Sequence, residues 1–278
     1  MRILICNDDG INAEGLKVLA NAAKRIADEV FVAAPAENSS GASRKVTFFE
    51  PVGVYEEKID WADGAVVAQG TPVDALCVAL MSIYEDKKFD LVLSGVNHGA
   101  NLGHDVFFSG TANLAMEAYS YGIPAIAFSQ VGYNIRKTEL IASWIAEFTK
   151  SVLHSELGKF CLNVNFPKMS NADVHENLTV KNIFNGTKFT LLSGYHHGDV
   201  FNEVGAGESP KVRQFSFARN HKIADQPEEM RLAEYPTLLF DQEAIHQGYV
   251  SVTPLSDILL NKEMIKKLQQ KSSNFENL

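Results

Sequence analysis

The chain lacks most of the features that announce a function at first sight. It holds only three cysteines in 278 residues: Cys6, Cys77 and Cys161. They are odd in number, far apart and set among apolar neighbours, which argues against a disulfide framework or a zinc site and for reduced core positions. No run of basic residues occurs, and 25 Lys and Arg against 34 Asp and Glu leave a net charge of −9. A nucleic-acid duplex and an anionic membrane are therefore poor partners. A small phosphate ester is not excluded, provided a cation or a nest of N–H groups supplies local positive potential. No apolar stretch is long enough to span a bilayer, and the run from Met1 to Cys6 is too short for a signal peptide, so a cytoplasmic location is expected. Internal repeats and low-complexity segments are also missing.

What remains is an ordinary globular composition, 46% apolar and 21% charged, over a length that can bury a substantial core. Apolar runs at residues 2–6, 30–34, 65–68, 90–93, 125–128 and 161–165 alternate with helical periodicity at 14–27, 72–84, 111–121 and 139–153. That alternation predicts a Rossmann-like, three-layer α/β core with a mostly parallel sheet covered on both faces. From about residue 178 the pattern changes. Strands are expected at 189–192, 212–217 and 248–252, with a turn at Asn185-Gly186, irregular charged stretches, an amphipathic helix at 256–270 and a frayed tail at 272–278. The chain therefore reads as one domain over 1–278, with a core of about 1–177 and a β-rich C-terminal extension of about 178–278. The long hairpin of that extension is expected to reach a neighbouring subunit.

In a parallel sheet the ligand crevice lies beyond the carboxyl ends of the strands, and the unusual polar segments follow strands. Asn7-Asp8-Asp9-Gly10 closes the first. Two adjacent carboxylates repel unless a cation lies beside them, and a hard divalent ion is the natural one. The alternative is a plain turn in which Asp9 caps the next helix, and the dipeptide alone does not choose. Its strand-end position favours the metal. Ser40 in Ser39-Ser40-Gly41 reads as a solvated loop or as a hydroxyl ligand. Asn97 reads as a turn residue or as a neutral oxygen ligand. The glycine-rich stretch from Asn97 through Asn101 to Ser109-Gly110-Thr111 leads into a helix start, which suits phosphate; the bland reading is an N-cap. Thr71 before Pro72 is a weaker version of the same motif. His98 and His104 flank the glycine-rich loop. His196-His197 invites a metal reading, yet neighbours on a strand point to opposite faces.

These segments, taken in order, resemble the SurE family of nucleotidases. The match includes Asn7-Asp8-Asp9-Gly10, Ala34-Pro35, Ser40-Gly41-Ala42-Ser43 and Gly70-Thr71-Pro72. It continues through Ser94-Gly95-Val96-Asn97, Asn101-Leu102-Gly103, Ser109-Gly110-Thr111, Leu162-Asn163-Val164-Asn165-Phe166-Pro167 and Gly248-Tyr249-Val250-Ser251-Val252-Thr253-Pro254-Leu255. The resemblance implies a cytoplasmic, divalent-metal-dependent phosphomonoesterase acting on nucleoside monophosphates. The activity it implies is that of a 5′-nucleotidase, with 3′-nucleotidase activity left open. It implies one magnesium or manganese ion per subunit, held by Asp8, Asp9, Ser40 and Asn97. It also implies a homo-oligomer, dimer or tetramer, that exchanges C-terminal elements. Two departures stand out: Ala36 replaces the acidic residue usual after Ala-Pro, and Phe108 replaces the tyrosine usual before Ser-Gly-Thr.

The expected mechanism is in-line attack by a metal-activated water, with Asp8, Asp9 and Asn97 as the catalytic set. Ser109, Gly110, Thr111, Thr71 and Asn101 are the expected phosphate- and substrate-binding residues. A covalent aspartyl-phosphate route through Asp8 or Asp9 is the runner-up. Two other classes stay open: a non-catalytic nucleotide- or metal-sensing module, and a dinucleotide-dependent oxidoreductase. The acidic first loop counts against the latter, because pyrophosphate needs bare glycine backbone there.

Overall fold

A computed structural model describes residues 1–132, 138–155, 157–169, 179, 183–194, 200–206, 213–218 and 237–256. Side chains alternate across each strand, so a strand covered on both faces reads as a nearly continuous apolar run. The first strand, β1 (Arg2–Cys6), fits that pattern: Ile3, Leu4, Ile5 and Cys6 are all fully buried. Ile3 and Ile5 join a core on one face, and Leu4 and Cys6 join a second core on the other.

Helix α1 (Glu14–Lys24) leads to β2 (Glu29–Pro35), and an edge pair follows, β3 (Val54–Glu57) and β4 (Gly64–Ala68). Helix α2 (Pro72–Val78) runs into a π-helical turn at Ala79–Ile83, then β5 (Leu91–His98) and a 3-10 turn at Gly103–Phe107. Next come α3 (Gly110–Ser120), β6 (Ala125–Gln130), α4 (Thr138–His154) and β7 (Cys161–Phe166). The last described elements are β8 (Thr187–Phe189), β9 (Val200–Ala206), β10 (Arg213–Ala218), α5 (Asp241–His246) and β11 (Val250–Pro254).

Nine strands form one sheet in the order β3-β4-β2-β1-β5-β6-β7-β11-β8, and the run from β4 to β7 is parallel throughout. Apolar residues of α1 and α4 pack on one face and those of α2 and α3 on the other, which makes three layers. The α/β expectation holds. From β1 the chain moves outward to β2 on one side and later returns to β5 on the other. The switch point therefore lies between β1 and β5, where the acidic turn and the Asn97 loop emerge.

Several boundaries differ from expectation, each for a physical reason. Strand β5 does not stop at Leu93 but runs to His98, because the polar segment after Leu93 stays in the sheet through a register shift between Ser94 and Asn97. The strand expected at 189–192 ends at Phe189, and Leu191 makes only an isolated bridge to Phe240. β11 pairs antiparallel with β7 and β8 pairs with β11, so residues beyond 178 complete the main sheet as well as forming the β9–β10 hairpin. The helix expected at 256–270 and the tail at 272–278 lie outside the described residues, apart from Ser256.

Candidate active site

The site begins with the turn after β1. Asn7 Nδ2 donates to the Gly10 carbonyl at 2.9 Å, and Gly10 takes φ +100°, a conformation that disfavours any side chain. The turn is pinned from above by the 36–40 loop, where the Ser39 N–H donates to the Asp8 carbonyl at 2.7 Å. Asn38 ties the two segments together. Its Nδ2 donates to Asp9 Oδ1 at 3.1 Å while its Oδ1 accepts from the Ser40 N–H at 2.9 Å. One side chain thus orients both Asp9 and Ser40. Sequence reading passed over Asn38, although an Asn two residues before the bonded N–H is the mark of an Asx turn.

Asp8 is 3% exposed and sits against the first turn of α3. The Thr111 hydroxyl donates to Asp8 Oδ1. A Cβ on Gly110 would lie 2.5 Å from Asp8 Oδ2 and 2.6 Å from its Cβ, so only glycine lets the helix start so close to the carboxylate. Burial pushes the Asp8 carboxyl up to about 6; the Thr111 hydroxyl pulls it back, and the neighbouring Asp9 charge raises it further. The helix end that the sequence assigned to phosphate thus faces the protein's own Asp8 as its nearest anion.

Asp9 is half-buried, and its Oδ2 is shut away from solvent with no hydrogen-bond partner. Ser40 is exposed and Asn97 half-buried. Asn97 Nδ2 donates to the Gly99 carbonyl at 2.9 Å, which fixes the orientation of its amide oxygen. Cys6 lies opposite Ser94 across the β1–β5 ladder, which sets the acidic turn after β1 alongside the end of β5 that carries Asn97. Ser43 closes the ring of loops, its hydroxyl donating to the Phe107 carbonyl at 2.6 Å and its N–H to the Phe108 carbonyl at 3.1 Å. Ser43 holds φ at +56°, a conformation uncommon for any residue but glycine.

Three further expected residues have definite structural work. Ser109 is the N-cap of α3, accepting from the Ala112 N–H at 3.0 Å. Thr71 caps α2 in a capping box with Asp74 and donates its hydroxyl proton to the Lys45 carbonyl at 2.6 Å. Asn101 is buried, and its Nδ2 donates to Ser129 Oγ at 2.7 Å. Ser109 and Thr111 thus flank the acidic turn at the start of α3. Thr71 belongs to a different helix, and the Asn101 amide is turned into the protein. At the two departures, Ala36 continues from β2 with its N–H donating to the Ala68 carbonyl at 2.8 Å, and Phe108 is 58% exposed.

Among the histidines, His98 Nε2 is buried without a partner, the His104 ring lies 5.9 Å from the Phe107 ring, and His154 is exposed at the end of α4. His175, His196, His197 and His221 lie outside the described residues. No group of three or more His, Cys, Asp and Glu side chains gathers as a metal site among the described residues. The four candidate ligands include only two carboxylates, and the other two oxygens, Ser40 Oγ and Asn97 Oδ1, are neutral. An all-oxygen set suits a hard divalent cation and not a soft one. The unpartnered Asp9 Oδ2 beside the buried Asp8 fits it too, since a cation removes both the unmet acceptor and the charge repulsion.

Fold and site define a doubly wound α/β protein with an acidic turn at its switch point. The family described as Survival protein SurE matches residues 3–188. The chain belongs to the SurE family. It is 36% identical to the 5′-nucleotidase SurE of Erythrobacter litoralis over 259 residues, which covers 92% of this chain and 93% of that protein. It is 35% identical to the Vibrio vulnificus 5′-nucleotidase SurE, covering 96% and 94%. The crystal structure of the SurE protein from Aquifex aeolicus superposes with a TM-score of 0.74 at 33% identity, covering 98% of this chain and all of that one. Among the described residues no helix is long and apolar enough to cross a membrane.

Proposed function

We propose that this chain hydrolyses nucleoside monophosphates at a centre formed by Asp8, Asp9, Ser40 and Asn97, with a divalent cation as cofactor. That it is a phosphoric monoester hydrolase follows from its family, whose curated relatives are named 5′-nucleotidases. The observation that carries the finer reading is the acidic turn: a buried Asp8 next to an Asp9 whose inner oxygen has no partner, at the switch point of the sheet.

Asp8, Asp9, Ser40 and Asn97 would hold one magnesium or manganese ion, which when bound supplies charge neutralisation for the phosphate and a water acidic enough to attack at neutral pH. The chain's own groups do the rest. Asn38 ties the Asp9 carboxylate to the Ser40 backbone N–H, and Thr111 holds Asp8. The Ser109 hydroxyl already accepts from the Ala112 N–H, which leaves its proton to donate to a phosphate oxygen. The Gly110 N–H, at the first position of α3, has no acceptor within the helix and is a second donor for the same group. The same reading has a homo-oligomer, dimer or tetramer, with the β9–β10 hairpin as part of the exchanged extension.

Phosphate release from a panel of nucleoside 5′- and 3′-monophosphates tests the substrate class. Turnover of the 5′-monophosphates is expected, and the 3′ arm sets the breadth of the site. Nucleotide binding with no release from any member would instead make the chain a sensing module.

A further inference from the structure

The candidate ligands and the start of α3 all lie within residues 8–111, yet the loop between Asn97 and Gly103 is held by later residues, from β7 and α5. Asn101 is the centre of that grip. Its N–H donates to Asn165 Oδ1 at 2.8 Å, and its carbonyl accepts from Asn163 Nδ2 at 2.7 Å and Asn165 Nδ2 at 3.0 Å. Both asparagines lie on β7 and are fully buried. Two residues on, the Gly103 N–H donates to Asp241 Oδ2 at 2.8 Å. Asp241 is the first residue of α5 and is also fully buried.

The other Asp241 oxygen has a different task. Oδ1 accepts from the Ser193 N–H at 3.1 Å and from the Gln242 N–H at 2.8 Å. The Asp241 N–H donates to the Leu191 carbonyl at 2.9 Å, and the Leu191 N–H donates to the Leu239 carbonyl at 3.0 Å. Ser193 and Asp241 bracket the segment that carries β9 and β10. A single carboxylate therefore joins the two ends of that segment to the glycine-rich loop. A buried carboxylate in this position needs all its N–H donors, since losing one leaves a charged acceptor unmet.

We propose that Asp241 is a positioning residue for the reaction, a clamp that fixes the Gly103 end of the substrate loop to the base of the C-terminal hairpin. The proposal rests on the nucleotidase reading for its effect on turnover, but the clamp itself does not. The site is then built from both ends of the chain, with chemistry supplied early and alignment supplied late.

The test is Asp241→Asn in the full-length chain. The substitution keeps size and one acceptor oxygen but turns an NH2 group towards a backbone N–H. The variant is expected to fold and to bind manganese within about twofold of the parent, because Asp8 and Asp9 are untouched, while kcat/KM for a nucleoside monophosphate falls about tenfold or more through a raised KM. Amides of residues 99–103 should exchange faster in the variant. Parental kcat/KM with parental exchange in this loop would overturn the proposal, as would a loss of manganese affinity in step with activity. Should the variant fail to fold, amide exchange in the unaltered protein decides. Gly103 and Ser193 share one carboxylate and should show comparable protection; a Gly103 amide that exchanges like an open loop while Ser193 stays protected contradicts the clamp. That arm needs no turnover, so an inactive parent would sink the nucleotidase reading and leave the clamp to be judged on exchange alone.

Discussion

Asp8→Asn is expected to make the chelator-treated protein more stable while removing nearly all of its phosphatase activity. The Asp8 carboxyl titrates at about 6 in the folded chain, against a reference value of 3.8, with burial as the main cause. The folded state thus holds this proton more tightly than the unfolded one. Above pH about 6 the group opposes folding in full, and the opposition fades as pH falls from about 6 towards about 4. A difference of roughly two units is worth about 3 kcal/mol, or roughly 5 °C in melting temperature for a chain of this size. Asparagine keeps an acceptor for the Thr111 hydroxyl and carries no charge, so it removes that opposition. Melting the parent and the variant between pH 4.5 and 8, both free of divalent cations, checks this. The parent should gain stability relative to the variant as pH falls, and the variant should turn over substrate at least about 1000-fold more slowly. A variant that melts lower than the parent at pH 8 would mean that Asp8 carries no buried charge.

Gly110→Ala tests the same contact from the other side. On helix propensity alone the change stabilises, by up to about 1 kcal/mol. The steric term opposes it. The new Cβ would fall 2.5 Å from Asp8 Oδ2, 2.6 Å from its Cβ and 2.8 Å from its Cγ, all well inside van der Waals contact. Overpacking of this kind costs about 1–3 kcal/mol, so the steric term wins, and either Asp8 or the start of α3 must move. A shift of about 1 Å at a reacting centre costs on the order of 100-fold in rate. The variant should therefore fold with a modestly lower melting temperature and lose at least that factor in kcat/KM. Parental activity would show that the close approach of α3 to Asp8 is dispensable.

Much of this architecture was legible in the sequence because a parallel sheet buried on both faces favours nearly continuous apolar strands. Residues 3–6 and 125–128 could hardly be anything else, while 161–165, interrupted by Asn163 and Asn165, was legible as one more step of the strand–helix alternation. The edge strand β3 was not legible, since Tyr55 and Glu56 face solvent and break the pattern. Strand β5 looked four residues long because Ser94, Gly95 and Asn97 resemble a loop, while the structure carries them in the sheet. Helix α5 is six residues long, too short to show a period. At the site, Asp8 and Asp9 stood out as paired charges after a buried strand. What pattern cannot reveal is which anion a helix start faces: Thr111 lies 103 positions from Asp8, and only the fold brings the two together. Thr71 and Asn101 share that difficulty. Each has the right residue type in the right kind of loop, and each is engaged in holding the chain.

Asp8, Asp9, Ser40 and Asn97 are proposed to hold a divalent cation on which hydrolysis depends. The most direct test is a manganese titration of the chelator-treated protein, following bound metal and phosphate release from a nucleoside 5′-monophosphate in the same samples. One ion per chain is expected, with activity rising from near zero as that ion binds, and neither binding nor activity once Asp8 and Asp9 are both changed to asparagine. Full activity in the absence of any divalent cation, or undiminished stoichiometric binding by the double variant, would contradict that assignment.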